Sequence, residues 1–358
     1  MFSWRDTANP EGGGAEIYLE RMAVGLRDRG ATVAIFCAAY DGGARDEIRD
    51  GIRYVRRGSP ITVYLWGLWL LLSRQFGRID QIVDVQNGLP FFTRLVTRKP
   101  VRVLVHHVHR EQWQVVYPGW RGRLGWWLES VAAPRVYRRD RYITVSNATR
   151  GELCDVGVDP DRIDIVHNGT DVAIGSGDRT QHPSICAVSR LVPHKRIEFA
   201  IDAVADLRAE MPDLTLTVAG SGWWQDALHQ HAVARGVTDL VDFAGWVDEK
   251  TKADIYARSW VMAMPSLKEG WGLVVSEASA HGTPVVAFRS AGGTTESVAD
   301  QESGLLVDDY REFVAGLRDI LTDDVFRKEL SEGALERSGE FSWTRSQERF
   351  SALLGGQR

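Results

Sequence analysis

Two glutamates, Glu269 and Glu277, stand eight residues apart in SLKEGWGLVVSE (266–277), separated by Gly270-Trp271-Gly272 and an apolar run that opens at Leu273. A carboxylate presents paired acceptors, which suit hydroxyl pairs of a polyol. The glycines let a ligand touch backbone N–H groups at the turn. In VSRLVPHKRIEFA (188–200), Arg190 and Lys195 fall in a loop or a first helical turn. Two cations there are disfavoured by the helix dipole unless something negative lies between them. A diphosphate would serve. EGGGAE (11–16) is a glycine turn opening a helix, so Gly13 and Gly14 offer an anion backbone N–H groups and a helix N-terminus. Together these residue types fit a polyhydroxylated ligand that carries phosphate.

Such residues need strand ends to hold them. ATVAIFCA (31–38), QIVDVQN (81–87), VRVLVHHVH (101–109) and YITVS (142–146) read as buried strands of a first half. SICAVS (184–189), LTLTVAG (214–220), VDFAGW (241–246), WVMAMPS (260–266), PVVAF (284–288) and GLLVD (304–308) read as strands of a second. Helical patterns lie between them: Ala15, Leu19, Met22, Ala23 and Leu26 make one stripe, and LVVSEASAHG reads as a helix ended by Gly282. Strand–helix alternation means parallel sheets with helices on both faces. The polar, aperiodic stretch 170–184 is a linker. The fold class is therefore α/β with two doubly wound domains, residues 1–169 and 170–340, and SGEFSWTRSQERFSALL (338–354) ends the chain with a helix. Only MFSW precedes the glycine turn, so either the first strand is severely short or the start lies inside the gene.

Composition narrows the function. The 358 residues are 44% hydrophobic and 25% charged, which excludes disorder. Residues 1–150 hold 23 Lys and Arg against 14 Asp and Glu, whereas the remainder holds 20 against 34. A front half at +9 points to phosphate-bearing molecules or an anionic membrane as partners. ITVYLWGLWLLLSRQF (61–76) and GWRGRLGWWLESVAAPRVYRRDR (119–141) join apolar and aromatic residues to arginines, as interfacial helices do. The apolar run 61–72 is shorter than a membrane span needs. The start is too polar for a signal peptide. Cys37, Cys154 and Cys186 follow no metal spacing and read as core residues of a reducing cytosol. Gly220 and Gly222 follow a strand, but Gln225 stands where a dinucleotide fingerprint needs glycine. No nucleic-acid module is evident. No D-x-D occupies a predicted strand end, and Asp159 and Asp161 lie in a loop, so no metal or cofactor is expected and the cations are expected to replace one.

The stretch from Glu269 to Glu277 resembles the E-x7-E motif of retaining glycosyltransferases of family 4. So do SRL…K (189–195), GGGAE (12–16), VHNGTD (166–171), FAGWV (243–247) and GTPVVAF (282–288), in order over nearly the whole chain. The resemblance implies the GT-B fold, two Rossmann-like domains facing across a cleft, with residues from about 341 to 358 crossing back to the first. It implies a metal-independent hexosyltransferase that moves a hexose, with retention, from a UDP- or GDP-linked sugar to a hydroxyl of a glycan, lipid or small molecule. Arg190 and Lys195 would hold the diphosphate, Glu277 the ribose, and Glu269 the donor sugar, helped by the amides of Trp271, Gly272 and Leu273 beside Gly270. Trp271 stands where the family more often has phenylalanine. Gly13 and Gly14 would approach the phosphates, Trp246 and Val247 would lie near the base, and His109, ahead of His106 and His107, would lie near the sugar. A cytoplasmic location follows, with peripheral attachment to the inner membrane face as its extension. The alternatives are a non-hydrolysing sugar-nucleotide epimerase, which lacks E-x7-E, and a binding-only pseudoenzyme, for which Arg190, Lys195 or the glutamates should be lost.

Overall fold

The structure, a computed structural model, describes residues 1–171 and 177–355, leaving aside the side chain of Glu111. Part of the 170–184 linker and the last three residues of the 341–358 segment lie outside the described residues. The chain divides into two compact units, Met1–Asn168 with Trp343–Arg358, and Gly169–Ser342.

In the first unit, β1 (Ala34–Cys37), β2 (Asp46–Arg49) and β3 (Ile52–Arg56) lie in the order β1-β3-β2, and β4 (Ile82–Gln86), β5 (Val101–Val105), β6 (Arg141–Thr144) and β7 (Ile163–Ile165) in sequence order. All pairings are parallel except β2 with β3. Isolated bridges at Phe2, to Asp84 and to Phe36, are what join the two sets. The Phe2 N–H donates to Val83 at 2.8 Å on one side, and the Ser3 N–H donates to Phe36 at 2.9 Å on the other. The Phe2 ring is buried against Phe36, Phe76 and Phe91. Full burial of such a ring is worth about 1.5–3 kcal/mol, which lets so short a segment hold the centre of a sheet.

The second unit has six parallel strands: β8 (Ser184–Val188), β9 (Thr215–Ala219), β10 (Val241–Gly245), β11 (Val261–Met264), β12 (Val285–Phe288) and β13 (Gly304–Val307). Their spatial order is β10-β9-β8-β11-β12-β13. Strands β8, β11 and β12 are buried along their whole length because helices cover both faces. Strand order reverses between β8 and β11, and at such a switch point the loops beyond the carboxyl ends leave a crevice for ligands.

Three local readings need correction. The apolar run from 101 leaves the sheet after Val105, so His106–His109 form a loop and His109 caps helix Arg110–Val116. β2 and β3 were not anticipated. Their hairpin turns at Asp50-Gly51, both at positive φ, which is the Asp-Gly signal of a two-residue hairpin. Strand β7 was also missed, being only three residues long. The closing helix, Trp343–Gly355, packs on α1 (Gly14–Asp28): Gln347 donates to the Arg21 carbonyl at 2.9 Å, and Trp343 meets the Tyr18 ring at 6.1 Å.

Candidate active site

The loops after β8 and β11 are tied to each other at the switch point. The Leu267 N–H donates to the His194 carbonyl at 2.8 Å, and Arg196 Nε donates to the Pro265 carbonyl at 2.7 Å. This stitching brings Lys195, on a short 3₁₀ turn, against Glu269, and Nζ forms an ion pair with Oε1. Both side chains are largely buried, at 15% and 11% exposure. Burial pushes the Glu269 carboxyl up, but the Lys195 ammonium outweighs it, with help from Ser266, and holds the group below its ordinary value. The negative group beside Lys195 is thus a carboxylate of the protein. Arg190 is exposed, and among the described residues no ion pair holds its guanidinium.

The turn carrying Glu269 is clamped from β12. The Glu269 N–H donates to the Ala291 carbonyl at 2.8 Å, and the Gly293 N–H returns a bond to Glu269 at 3.0 Å. A Cβ at Gly293 would stand 2.1 Å from the Gly270 carbonyl oxygen, so only glycine fits there. Gly272, at φ 88°, then caps helix Leu273–Ala280, and its carbonyl accepts the Val275 N–H of the first turn at 2.9 Å. Trp271 lends its backbone alone. Its indole is buried, donates to Ser276 Oγ at 3.0 Å and meets Phe341 edge-on at 4.7 Å. The ring therefore belongs to the core, and the size difference from phenylalanine falls there.

Glu277 sits one turn further along that helix, in its own cluster. Lys252 Nζ lies 3.0 Å from Oε1, and the Tyr256 hydroxyl donates to Oε2 at 2.9 Å. Burial pulls the Lys252 ammonium down, but Glu277 and Glu249 outweigh it and raise its pKa. Both partners come from helix Glu249–Arg258, spaced i, i+4 so that they share a face. Ahead of that helix Val247 turns inward and packs on the core, whereas Trp246 is 74% exposed. The side chain open to a ligand at the β10 end is therefore Trp246 and not Val247. Gly220 and Gly222 have a packing role: a Cβ on either would stand within 2.1 Å of the carbonyl oxygens of Ser189 and Leu191.

In the first unit, Gly13 is the N-cap of α1 and Gly14 its first residue. The Gly13 N–H already donates to Glu16 Oε2 at 2.8 Å, so this amide is occupied. His109 is held at both ring nitrogens, Nδ1 3.1 Å from Glu129 Oε1 and Nε2 3.1 Å from Asn87 Oδ1. Glu129 is 1% exposed and also accepts the His109 backbone N–H and the Trp113 indole N–H. It lies on a single π-helical turn, Leu128–Ala132, directly after helix Trp120–Trp127. Such turns often mark functional positions. His107 bonds Gln112 at 3.0 Å, while His106 is buried against the Tyr18 ring, and burial pushes its imidazole down to about 4. Among the described residues no group of three or more His, Cys, Asp and Glu side chains gathers in a way that could hold a metal ion.

Sequence reasoning missed Glu129, Asn87, Lys252 and Tyr256. A lone acid inside the apolar aromatic run GWWLESVAAP was a signal for Glu129, and Asn87 at a strand end was one for its partner. Lys252 and Tyr256 carried none, because they meet Glu277 only through the packing of two helices.

Residues 12–174 match the family model described as Glycosyltransferase Family 4, and residues 175–337 match the one described as Glycosyl transferases group 1. A D-inositol 3-phosphate glycosyltransferase of Nocardioides sp. is 34% identical over 213 residues, 52% of this chain and 46% of the relative. The chain thus spans about half the length of that curated relative. A GDP-mannose-dependent alpha-(1-6)-phosphatidylinositol monomannoside mannosyltransferase of Mycolicibacterium smegmatis is 29% identical over 376 residues, 98% and 96% of the two chains. The sucrose-phosphate synthase of Thermosynechococcus elongatus superposes with a TM-score of 0.83 at 20% identity, covering 98% of this chain and 96% of that one. The shared architecture is GT-B.

Proposed function

The chain belongs to glycosyltransferase family 4, and we propose that it is a retaining, metal-independent transferase moving a hexose from a nucleotide-diphosphate sugar to an acceptor hydroxyl. The observation that carries this reading is the Lys195–Glu269 pair at the β8/β11 switch point. The pair keeps an ammonium and a carboxylate ordered and mostly out of water before any donor arrives. The donor's diphosphate takes Lys195 and the exposed Arg190, while its sugar hydroxyls take Glu269 and the turn amides at Trp271, Gly272 and Leu273. Glu277 binds the ribose with Lys252 and Tyr256 fixing its carboxylate, and Trp246 offers its ring to the base. When the bond from the anomeric carbon to the diphosphate breaks, charge grows on the leaving oxygen. Fixed cations stabilise it without reorganising, worth roughly 2.7–4 kcal/mol per donor by analogy with oxyanion sites.

From the first unit we assign His109 to the donor sugar, Gly13 and Gly14 to the donor phosphates, and Glu129 as a positioning residue that fixes the His109 ring. The two relatives' names give phosphate-bearing inositol acceptors. The excess of cations in residues 1–150 favours an acceptor of that charge here. The test is a thermal-shift screen with UDP- and GDP-sugars, because a ligand specific to the native state raises its melting temperature. One nucleotide family should raise it, and Lys195→Met should abolish the rise. Silence from every nucleotide sugar, together with no sugar transfer or donor hydrolysis, would overturn the reading.

A further inference from the structure

The loop after β9 carries a side chain that the transfer reading leaves without a role. Trp223 and Trp224 stand together there and turn opposite ways. Trp224 turns inward, donates its indole N–H to Glu198 and packs on the core. Trp223 meets its neighbour's ring edge-on at 5.4 Å and is 68% exposed. Single apolar side chains on a surface are ordinary. What sets Trp223 apart is the place in which it is held.

The loop is bonded on both sides. Towards β10, the Gly220 N–H donates to the Gly245 carbonyl at 2.7 Å. Towards β8, the Leu191 N–H donates to the Ser221 carbonyl at 2.9 Å, and the Trp224 N–H donates to the Leu191 carbonyl at 3.1 Å. Three neighbouring loops at the carboxyl ends of β10, β9 and β8 are therefore joined edge to edge. In that order they present Trp246, Trp223 and Arg190, all exposed. Two aromatic faces followed by a cation match a nucleoside diphosphate laid across the strand ends, with its base at the rings and its phosphates at the guanidinium. A flat base is apolar on its faces whatever its edge pattern, so ring stacking suits uracil and guanine alike.

We propose that Trp223 is a base-stacking residue of the donor site, so that the nucleobase is held by the indoles of both Trp223 and Trp246. The inference rests on the reading of the chain as a nucleotide-sugar transferase. It adds to that reading a residue whose contact is with the base alone. The stacking face is set in advance, because Trp224 fixes the loop from below and the bonds to Gly245 and Leu191 fix it from the sides.

Calorimetric titration of the full chain tests it, with GDP and UDP as nucleotides and pyrophosphate as a probe without a base. Trp223→Leu should weaken binding of the nucleotide about 5- to 150-fold, which is the worth of one base stack, and should leave pyrophosphate within about twofold. Trp223→Tyr keeps a ring face and should stay within about threefold of the parent. The change in tryptophan fluorescence on adding nucleotide should shrink in Trp223→Leu. Nucleotide binding by Trp223→Leu equal to the parent's overturns the inference and leaves the transfer reading standing. Equal losses for nucleotide and pyrophosphate, or a loss that Trp223→Tyr does not recover, also overturn it, since Trp223 would then act only by holding the Arg190 loop. A parent chain that binds neither nucleotide overturns the transfer reading and the inference with it.

Discussion

Lys195 and Glu269, 74 residues apart in the chain, meet as an ion pair that neither exposes to solvent beyond 15%. Each is the other's counter-charge. On the proposed reading, donor binding at this point is an exchange of partners.

Replacing Lys195 by methionine removes the ammonium and keeps the stem. Turnover should fall about 10²–10³-fold, as when an oxyanion donor is lost. Stability should fall as well, by up to about 3–5 kcal/mol, because a mostly buried carboxylate is left unpaired. Lys195→Met/Glu269→Gln should recover the stability and not the activity. Turnover and denaturant midpoints separate the two effects, and wild-type turnover in Lys195→Met would defeat the assignment.

Glu277→Gln keeps the shape and removes the charge that Lys252 and Tyr256 address. A charged hydrogen bond contributes about 1.5–3 kcal/mol. If that energy is spent on the ribose in ground and transition states alike, donor KM should rise about 10–100-fold with kcat nearly unchanged. A fall in kcat at constant KM would move Glu277 from binding to chemistry.

Glu129 holds His109 from behind. Glu129→Gln offers one acceptor oxygen where two N–H donors of His109 and one of Trp113 converge. The expected result is a loss in kcat of about 10²-fold, with a displaced pH profile for kcat/KM. A purely structural role would lower stability and leave that profile in place.

His106 supplies a pH effect on stability. Folded, it stays neutral down to about 4, whereas the unfolded ring protonates near 6.5. The unfolded state then binds more protons between those values, so stability falls as pH drops from 6.5 towards 4, by about 3 kcal/mol in total. Glu269 acts lower: its depressed folded value gives stability present above about 4.5 and lost as pH falls further. His106→Phe should flatten the upper window only, as read by denaturant titration at pH 7 and 5.

The parallel sheets were legible because strands such as VRVLV and SICAV are apolar without alternation, and both are buried on two faces. Lys195, Glu269 and Glu277 were legible because glycines and charges cluster at strand ends. The contacts that set their chemistry were harder to read. Glu129 reaches His109 over 20 residues through a π turn, and Tyr256 reaches Glu277 over 21 through helix packing. Spacing within one element cannot report either. Val247 and Trp246 show the same limit, since which neighbour faces outward depends on a bulge between Phe243 and Gly245 at the end of β10.

The Trp271 indole leans on Phe341, whose carbonyl takes the Thr170 N–H at 3.0 Å, and Thr170 also bridges Ser342. The outgoing and returning passages of the polypeptide are thus sewn side by side, and the turn that carries Glu269 rests its largest ring on the seam.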